Sequence, residues 1–389
     1  MNNITEIIQS GRCAGCTACY AVCPKDAVSL SRDAHGFLTP SIDGEKCVSC
    51  GKCLRACPCN VEEGPRSPRS AYAARTTDAA HRMECTSGGF VTALAEHVLK
   101  SGGVAYGARF EDGFRKVSHD AFYDIASLKA FSGSKYVQSD CSRVLKGLVD
   151  GSLPLDGLFV GSPCQVAAVK RALGARGSEI LTVDFACRGV PSPGVYERYC
   201  DYQEREYGAP ISALAFRKKT YGYHGSTMSI DFENGRSYEG NVKTDQMLAS
   251  FFSGYSPRPS CAECHMRKTP GLSDITVFEC WHFESFTGAR DDDSGYTTVL
   301  INTERGVESF EAVRPHLETY GLDARKAIGT DGFILRGNPP AAKGDVDAFW
   351  DLLENKGFGA DMERFLEISK VDKLRAWAKR RLFSTTRLR

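Results

Sequence analysis

Apolar residues recur at helical spacing from Gly88 to Leu99, and the run Gly103-Val104-Ala105-Tyr106-Gly107-Ala108 after them predicts a strand. Leu158-Phe159-Val160 and Ile180 to Phe185 are apolar runs of buried-strand length, each leading into a helical segment. This βαβ alternation predicts an α/β core with some parallel pairing. Nearer the start, Ala27 to Ser31 reads as a short strand, and Gly36 to Pro40 as the return of a hairpin. The polar, Pro-rich stretch Glu62-Glu63-Gly64-Pro65-Arg66-Ser67-Pro68-Arg69-Ser70 is a linker, and the chain from Ala341 onward is mostly helical. The expected organisation is α+β: a small domain over residues 1–62, a linker at 63–70, a larger α/β domain with a mixed sheet over 71–340, and a helical basic tail over 341–389.

The 389 residues are long enough for two or three domains, and 42% hydrophobic with 25% charged residues describes an ordinary globular chain. A net charge of +1 offers no electrostatic reason for a nucleic-acid partner. The start, MNNITEIIQSG, carries neither a basic nor an apolar leader region, and no apolar run reaches bilayer length. With 17 cysteines in such a chain, a reducing cytoplasmic setting is expected, in keeping with an anaerobic host.

Cysteine spacing changes the picture from composition to chemistry. Cys13, Cys16, Cys19 and Cys23 before Pro24 form a C-x2-C-x2-C-x3-C-P run, and Cys47, Cys50, Cys53 and Cys57 before Pro58 repeat it 34 positions later. This is the two-cluster bacterial ferredoxin pattern, in which the fourth cysteine of each run ligates the other cluster. It predicts two [4Fe-4S] clusters, one on Cys13, Cys16, Cys19 and Cys57, the other on Cys47, Cys50, Cys53 and Cys23. Zinc sites pair two close cysteines with a distant pair, and disulfides need a secreted setting. The near-balanced charge of this segment suits a domain wired to its own larger partner better than a free carrier steered by a one-signed face.

Two single cysteines sit where α/β folds place their chemistry. Cys164 follows the strand Leu158-Phe159-Val160 at a helix start, and Cys187 follows the strand ending at Ala186. A helix N-terminus favours thiolate at Cys164. Cys261-Ala262-Glu263-Cys264 adds a chelating pair, giving four ligands, enough for a third cluster. A cysteine at a strand end is as readily a small buried hydrophobe, and a lone C-x2-C suits zinc or a dithiol. Cys59, Cys85, Cys141, Cys200 and Cys280 read as small packing residues, with Cys59 placed to substitute as a ligand beside Cys57.

From Cys13 to about Pro340 the chain resembles the coenzyme F420 hydrogenase/dehydrogenase beta subunit family, in its bacterial form with an N-terminal two-cluster ferredoxin-type domain. The resemblance rests on Thr86-Ser87-Gly88-Gly89-Phe90, Phe131 to Ser139, Gly161-Ser162-Pro163-Cys164-Gln165, Cys187 to Pro193, Cys261 to Cys264, Ser273-Asp274-Ile275-Thr276 and Thr298 to Thr303. It implies an FAD beside a third [4Fe-4S] cluster on Cys164, Cys187, Cys261 and Cys264, with hydride exchange to coenzyme F420 in the best-known members. Flavin contacts would fall on Ser87, Gly88, Gly89, Lys135, Tyr136 and Gln138, the glycines bringing backbone N–H groups to a pyrophosphate and Lys135 supplying a counter-charge. Read without the family, Ser87-Gly88-Gly89 is a helix cap and turn.

Two departures matter. Phe278 and Glu279 stand where the family usually has Gly and Asp, which blocks a close backbone approach. Arg188 replaces a common His, exchanging a titratable donor for a fixed cation.

The expected function is an iron–sulfur flavoprotein oxidoreductase that passes electrons from reduced ferredoxin, or another low-potential redox protein, through [4Fe-4S] clusters to a flavin and a further acceptor. The alternative is a non-catalytic electron-transfer subunit serving a separate oxidoreductase or polysaccharide-biosynthesis partner. The basic end of the chain (Lys370, Lys373, Arg375, Lys379, Arg380, Arg381, Arg387, Arg389) reads as a solvated helix, with peripheral contact to an anionic membrane as the sharper alternative. Asp291-Asp292-Asp293 reads as a surface loop, and His224 and His282 are the histidines nearest the motifs.

Overall fold

The computed structural model describes residues 2–61, 64, 67–268, 272–337, 339 and 342–386, with side chains undescribed at 379, 380 and 382–386. The expected boundaries at 62/63 and 340/341 therefore touch residues outside the described ones, as do Arg387 and Arg389.

The two amino-terminal strands, β1 (Val28–Arg32) and β2 (Leu38–Ile42), pair antiparallel as the predicted hairpin. Short helices Ala18–Ala21 and Lys52–Ala56 flank it, each carrying part of one cysteine run. The larger part is built on an eight-stranded sheet ordered β13-β3-β12-β11-β7-β6-β4-β5. Its strands are β3 (Ser70–Thr76), β4 (Val104–Glu111), β5 (Lys116–Phe122), β6 (Gly157–Val160), β7 (Leu181–Phe185), β11 (Ile275–Glu279), β12 (Thr297–Ile301) and β13 (Leu317–Gly321). β4, β6, β7 and β11 run parallel, and the outer pairings are antiparallel, so the sheet is mixed. Helix Phe90–Lys100 and helix Pro163–Leu173 follow β3 and β6 as the apolar periodicity predicts. β7 is buried at its first four positions, as a central parallel strand should be.

A second sheet, β8 (Ile211–Lys218), β9 (Thr227–Phe232) and β10 (Ser237–Gly240), is antiparallel and lies outside the elements expected from the sequence. Helices Pro193–Tyr207, Gln246–Phe252 and Val346–Lys356 cover it, sharing one core with Tyr196, Tyr199, Phe216, Ile230, Leu248, Phe349, Trp350 and Met362. Much of the helical C-terminal region is thus packed into the body of the protein, while helix Lys370–Thr386 exposes apolar residues at Val371, Leu374 and Trp377. Among the described residues no helix is long and apolar enough to cross a membrane.

The cysteine-rich hairpin is docked on this body rather than tethered to it. Phe37 is buried in the core around the second sheet, and the ring of His35 stacks on Trp350 at 4.0 Å. Cys16, Ala18, Ala21 and Ala56 share a core with Val166 and Val169 of helix Pro163–Leu173. Removing that much apolar surface from water holds the two parts together.

Candidate cluster and cofactor sites

The two cysteine loops repeat in backbone as well as in sequence. Gly15 (φ 67°) and Ser49 (φ 51°), 34 positions apart, both adopt the left-handed conformation, as do Thr17 (φ 64°) and Gly51 (φ 72°). Ser49 and Thr17 hold this geometry without being glycine, a cost expected where a loop must aim several side chains at one point. Cys13, Cys16, Cys19 and Cys57 line one small cavity with Ile4, Ile7 and Leu38. Cys23, Cys47, Cys50 and Cys53 line another with Asn3, Val28 and Ile42.

Sulfur atoms in both sets receive hydrogen bonds: Gly15 N–H to Cys13 at 3.4 Å, Ala27 N–H to Cys23 at 3.3 Å and Asn3 Nδ2 to Cys47 at 3.7 Å. Such donors stabilise cluster thiolates. Among the described residues no group of three or more His, Cys, Asp or Glu closes on a single ion; each set surrounds a cavity instead, which suits a cube bound at its corners. Cys59 also lines the first cavity. It hydrogen-bonds the Cys57 thiol, which is pushed down by that bond and by the N–H groups of Cys59 and Asn60, while Cys59 is pushed up. Cys57 is therefore the better ligand of the two.

Cys164, Cys187, Cys261 and Cys264 come from three separate stretches of the chain to one place. Cys164 lies in the first turn of helix Pro163–Leu173, where Ser162 and Gln165 form a reciprocal capping box. Cys187 follows β7, and Cys261 ends the short turn Pro259–Cys261. Burial pushes Cys187 up to about 12, aided by the neighbouring Cys261 thiol. The helix N-terminus does not win at Cys164: burial and then the Cys264 thiol hold it well above the ordinary cysteine value, despite a 3.1 Å contact with Ser162 Oγ. Gly189 N–H reaches Cys187 Sγ at 3.4 Å. Four thiols gathered in one buried place, with an N–H donor on Cys187, suit a multi-iron centre that would take them as thiolates.

The three sets form a row. The Cys19 thiol senses Cys53 of the second set, and the Cys16 thiol senses Cys164 of the third. Cys50, at one end, is exposed. At the other end, Cys187 also lines a cavity of about 800 Å³.

That cavity lies between the two sheets. Its walls include Ser87, Gly89, Lys135, Tyr136, Arg188, Gly189, Arg217, Thr227, Glu279 and Trp281. Tyr136 packs against Phe251 and Phe252 at ring distances of 5.1 and 5.9 Å, and Arg188 sits 5.3 Å from the Phe252 ring. Volume and flat aromatic walls fit a flavin.

The expected contacts divide on this geometry. Ser87, Gly89, Lys135 and Tyr136 reach the cavity, whereas Gly88 and Gln138 do not. The Gly88 N–H donates to Thr297 Oγ1 at 3.0 Å, and an added Cβ would meet Ala74 O at 2.3 Å, so this glycine serves close packing on the sheet. Gln138 faces the cysteine-rich hairpin: Oε1 accepts from Leu38 N–H at 2.9 Å and Nε2 donates to Gly15 O at 3.4 Å. Lys135 Nζ donates to the carbonyls of Phe131, Ser132 and Gly133 at 3.0–3.2 Å, capping the turn it belongs to. Burial pushes it down to about 7, so a fixed counter-charge there is not assured by residue type. Phe278 packs with Leu300, Ile328 and Leu335, and Glu279 pairs with Arg217.

Asp292 pairs with Arg75, and Asp291 with His224, so the acidic loop is structural. His282 pairs with Asp331. Cys59, Cys85, Cys141, Cys200 and Cys280 are all buried.

Residues with no motif also shape the site. Lys219, buried, donates to the carbonyls of Arg82, Ser87 and Ser294 and so fixes the Ser87 turn. Arg258, also buried, donates to Cys13 O at 3.0 Å and Leu38 O at 2.6 Å, next to Gln138. Lys219 lies in a basic run and Arg258 between two prolines, patterns that signal surface until long-range partners are known.

Three family models match the chain. Residues 71–146 match "Coenzyme F420 hydrogenase/dehydrogenase, beta subunit N-term", and residues 157–323 match the C terminus of that same coenzyme F420 hydrogenase/dehydrogenase beta subunit. Residues 12–61 match the "4Fe-4S dicluster domain". A coenzyme F420 hydrogenase subunit beta from Methanococcus voltae is 25% identical over 246 residues, 61% of this chain and 78% of that one. A chain in a xenon-derivatised F420-reducing [NiFe] hydrogenase complex from Methanosarcina barkeri is 19% identical, with a TM-score of 0.48 over 70% of this chain and 93% of that one.

Proposed function

This chain belongs to the coenzyme F420 hydrogenase/dehydrogenase beta subunit family and carries a 4Fe-4S electron-transfer domain, and we propose that it is an iron–sulfur flavoprotein oxidoreductase of the cytoplasm. Its donor is reduced ferredoxin or a similar low-potential protein, and its acceptor enters the large cavity. One observation carries this reading: Cys187 is shared by the third thiol set and the cavity wall. When bound, [4Fe-4S] cubes supply one-electron transfer and FAD couples single electrons to hydride chemistry.

The residues have separable tasks. Cys13, Cys16, Cys19 and Cys57 would hold one cube, Cys23, Cys47, Cys50 and Cys53 a second, and Cys164, Cys187, Cys261 and Cys264 a third. Gly15, Ala27 and Gly189 donate N–H groups to sulfur, offsetting negative charge there. Ser87, Gly89, Lys135 and Tyr136 would hold the flavin, with Phe251 and Phe252 keeping water from its ring. Coenzyme F420 is not required as the acceptor, because the bulk of Phe278 and the Glu279–Arg217 pair alter that wall.

The second reading, an electron-transfer subunit without its own flavin, draws on Gly88 and Gln138 being engaged elsewhere. Anaerobic purification followed by acid extraction separates the two. The flavoprotein yields FAD near one per chain; extract without flavin, from protein that also fails to bind added FAD, leaves the electron-transfer subunit.

A further inference from the structure

Helix Lys370–Thr386 turns an apolar stripe outward. Val371, Leu374 and Trp377 are 57%, 63% and 47% exposed. One exposed leucine or valine means little, but these three stand three positions apart and share one side of the helix. Ala376, two positions from Leu374 and so about 200° around the axis, lies on the opposite side and lines the large cavity. The helix thus has an inner side against the body of the protein and an outer side that the protein itself leaves uncovered.

Cations are interleaved with that stripe. Lys370, Arg375 and Arg381 are exposed, and the Arg381 guanidinium lies 4.6 Å from the Trp377 ring. At about 100° per residue, Arg375 projects beside Val371, and Lys370 and Arg381 project between Leu374 and Trp377. Asp372 is the helix's only acid; it is half-buried and accepts from the Ser369 hydroxyl at 2.6 Å. Lys373 pairs with Glu363 and is not one of the outward cations. The outer face therefore combines apolar groups with positive charge and carries no carboxylate.

We propose that this face docks the protein on an anionic lipid bilayer. The helix lies flat, with Val371, Leu374 and Trp377 in the boundary between headgroups and acyl chains and Lys370, Arg375 and Arg381 against lipid phosphates. Apolar groups mixed with cations suit an anionic interface, and the amphipathic tryptophan ring settles at that depth. A second copy of this chain fits the face poorly, because self-pairing would set cation against cation. Docking brings the cavity wall at Ala376 within one helix diameter, about 10 Å, of the lipid. The clusters and the flavin play no part in this contact, so it stands apart from the redox reading above.

The test is flotation of the full, anaerobically purified chain with vesicles of phosphatidylcholine, alone or with phosphatidylglycerol added. Binding to the phosphatidylglycerol vesicles, weakened by salt, and little binding to the neutral ones are expected. Trp377 emission should shift to the blue on binding, and Trp377→Phe identifies it among the three tryptophans. Leu374→Gln should bind about tenfold more weakly through lost apolar burial. Lys370→Gln with Arg375→Gln should lose about fivefold per charge. These side chains are exposed, so the variants should keep wild-type stability and iron content.

Equal flotation with both kinds of vesicle, flotation with neither, or binding unchanged in both variants overturns the proposal. Without flotation, a dimer in sedimentation velocity that Leu374→Gln abolishes gives the face to a second copy. Neither flotation nor such a dimer leaves it to an acidic protein or to water.

Discussion

The thiol of Cys16, in the amino-terminal hairpin, is close enough to Cys164 of the large domain for their charges to interact. Burial and then Cys57 weigh more on Cys16, but Cys164 is the contact that crosses between the two parts. Around it, Cys141 Sγ donates to Cys16 O at 3.3 Å and touches Thr17 Oγ1 at 3.4 Å. The thiol sets are thus neighbours in shared packed cores, between exposed Cys50 and the cavity wall at Cys187.

Gln138 and Arg258 grip both polar groups of Leu38 from the large domain. Replacing Gln138 with Leu leaves the half-buried Leu38 N–H without its partner, at a cost of about 1 kcal/mol. Denaturant unfolding should show that loss, with FAD content unchanged because Gln138 does not face the cavity. A selective loss of FAD at unchanged stability would return Gln138 to the flavin site.

Cys57 and Cys59 offer a direct comparison. Cys57 receives the N–H groups of Cys59 and Asn60, which favour its thiolate. Cys57→Ala should remove about four iron atoms per chain, the content of one cube. Cys59→Ala should retain the full complement. Iron loss in both variants alike would mean that Cys59 shares the ligand role.

His119 is buried and held by Val160 O at 2.9 Å and Ser139 Oγ at 3.1 Å, and burial pushes it down to about 4. The unfolded chain binds a proton near 6.5 that the folded chain refuses until about 4. Its contribution is therefore complete above that unfolded value and is lost as pH falls toward the folded one, about 3 kcal/mol in all. Nearby Asp140 favours the charged ring and Lys135 opposes it, which leaves burial dominant. Urea midpoints measured from about pH 7 to about pH 4 should fall less steeply in His119→Gln than in wild type. Parallel curves would contradict the assignment.

What could be read from the chain alone was decided by range. Period and spacing are local, so helix Phe90–Lys100, the β1–β2 hairpin and the two cysteine runs were legible residue by residue. The third thiol set was legible only as separate weak signals, because Cys164, Cys187 and Cys261 meet through sheet order. The contacts of Gln138 were hidden for the same reason: a motif names a neighbourhood, while its partners Leu38 and Gly15 lie about a hundred positions upstream. Lys219 and Arg258 carried no signal at all, since a buried cation's carbonyl partners exist only once everything around it is placed.

The row of three thiol sets is tested most directly by counting iron and labile sulfide in anaerobically purified protein, wild type against Cys164→Ser with Cys187→Ser. Three cubes predict about 12 iron atoms per chain in wild type and about 8 in the double variant, with the remaining two clusters still reducible. A wild-type count near about 8 that the double substitution leaves unchanged would contradict the account.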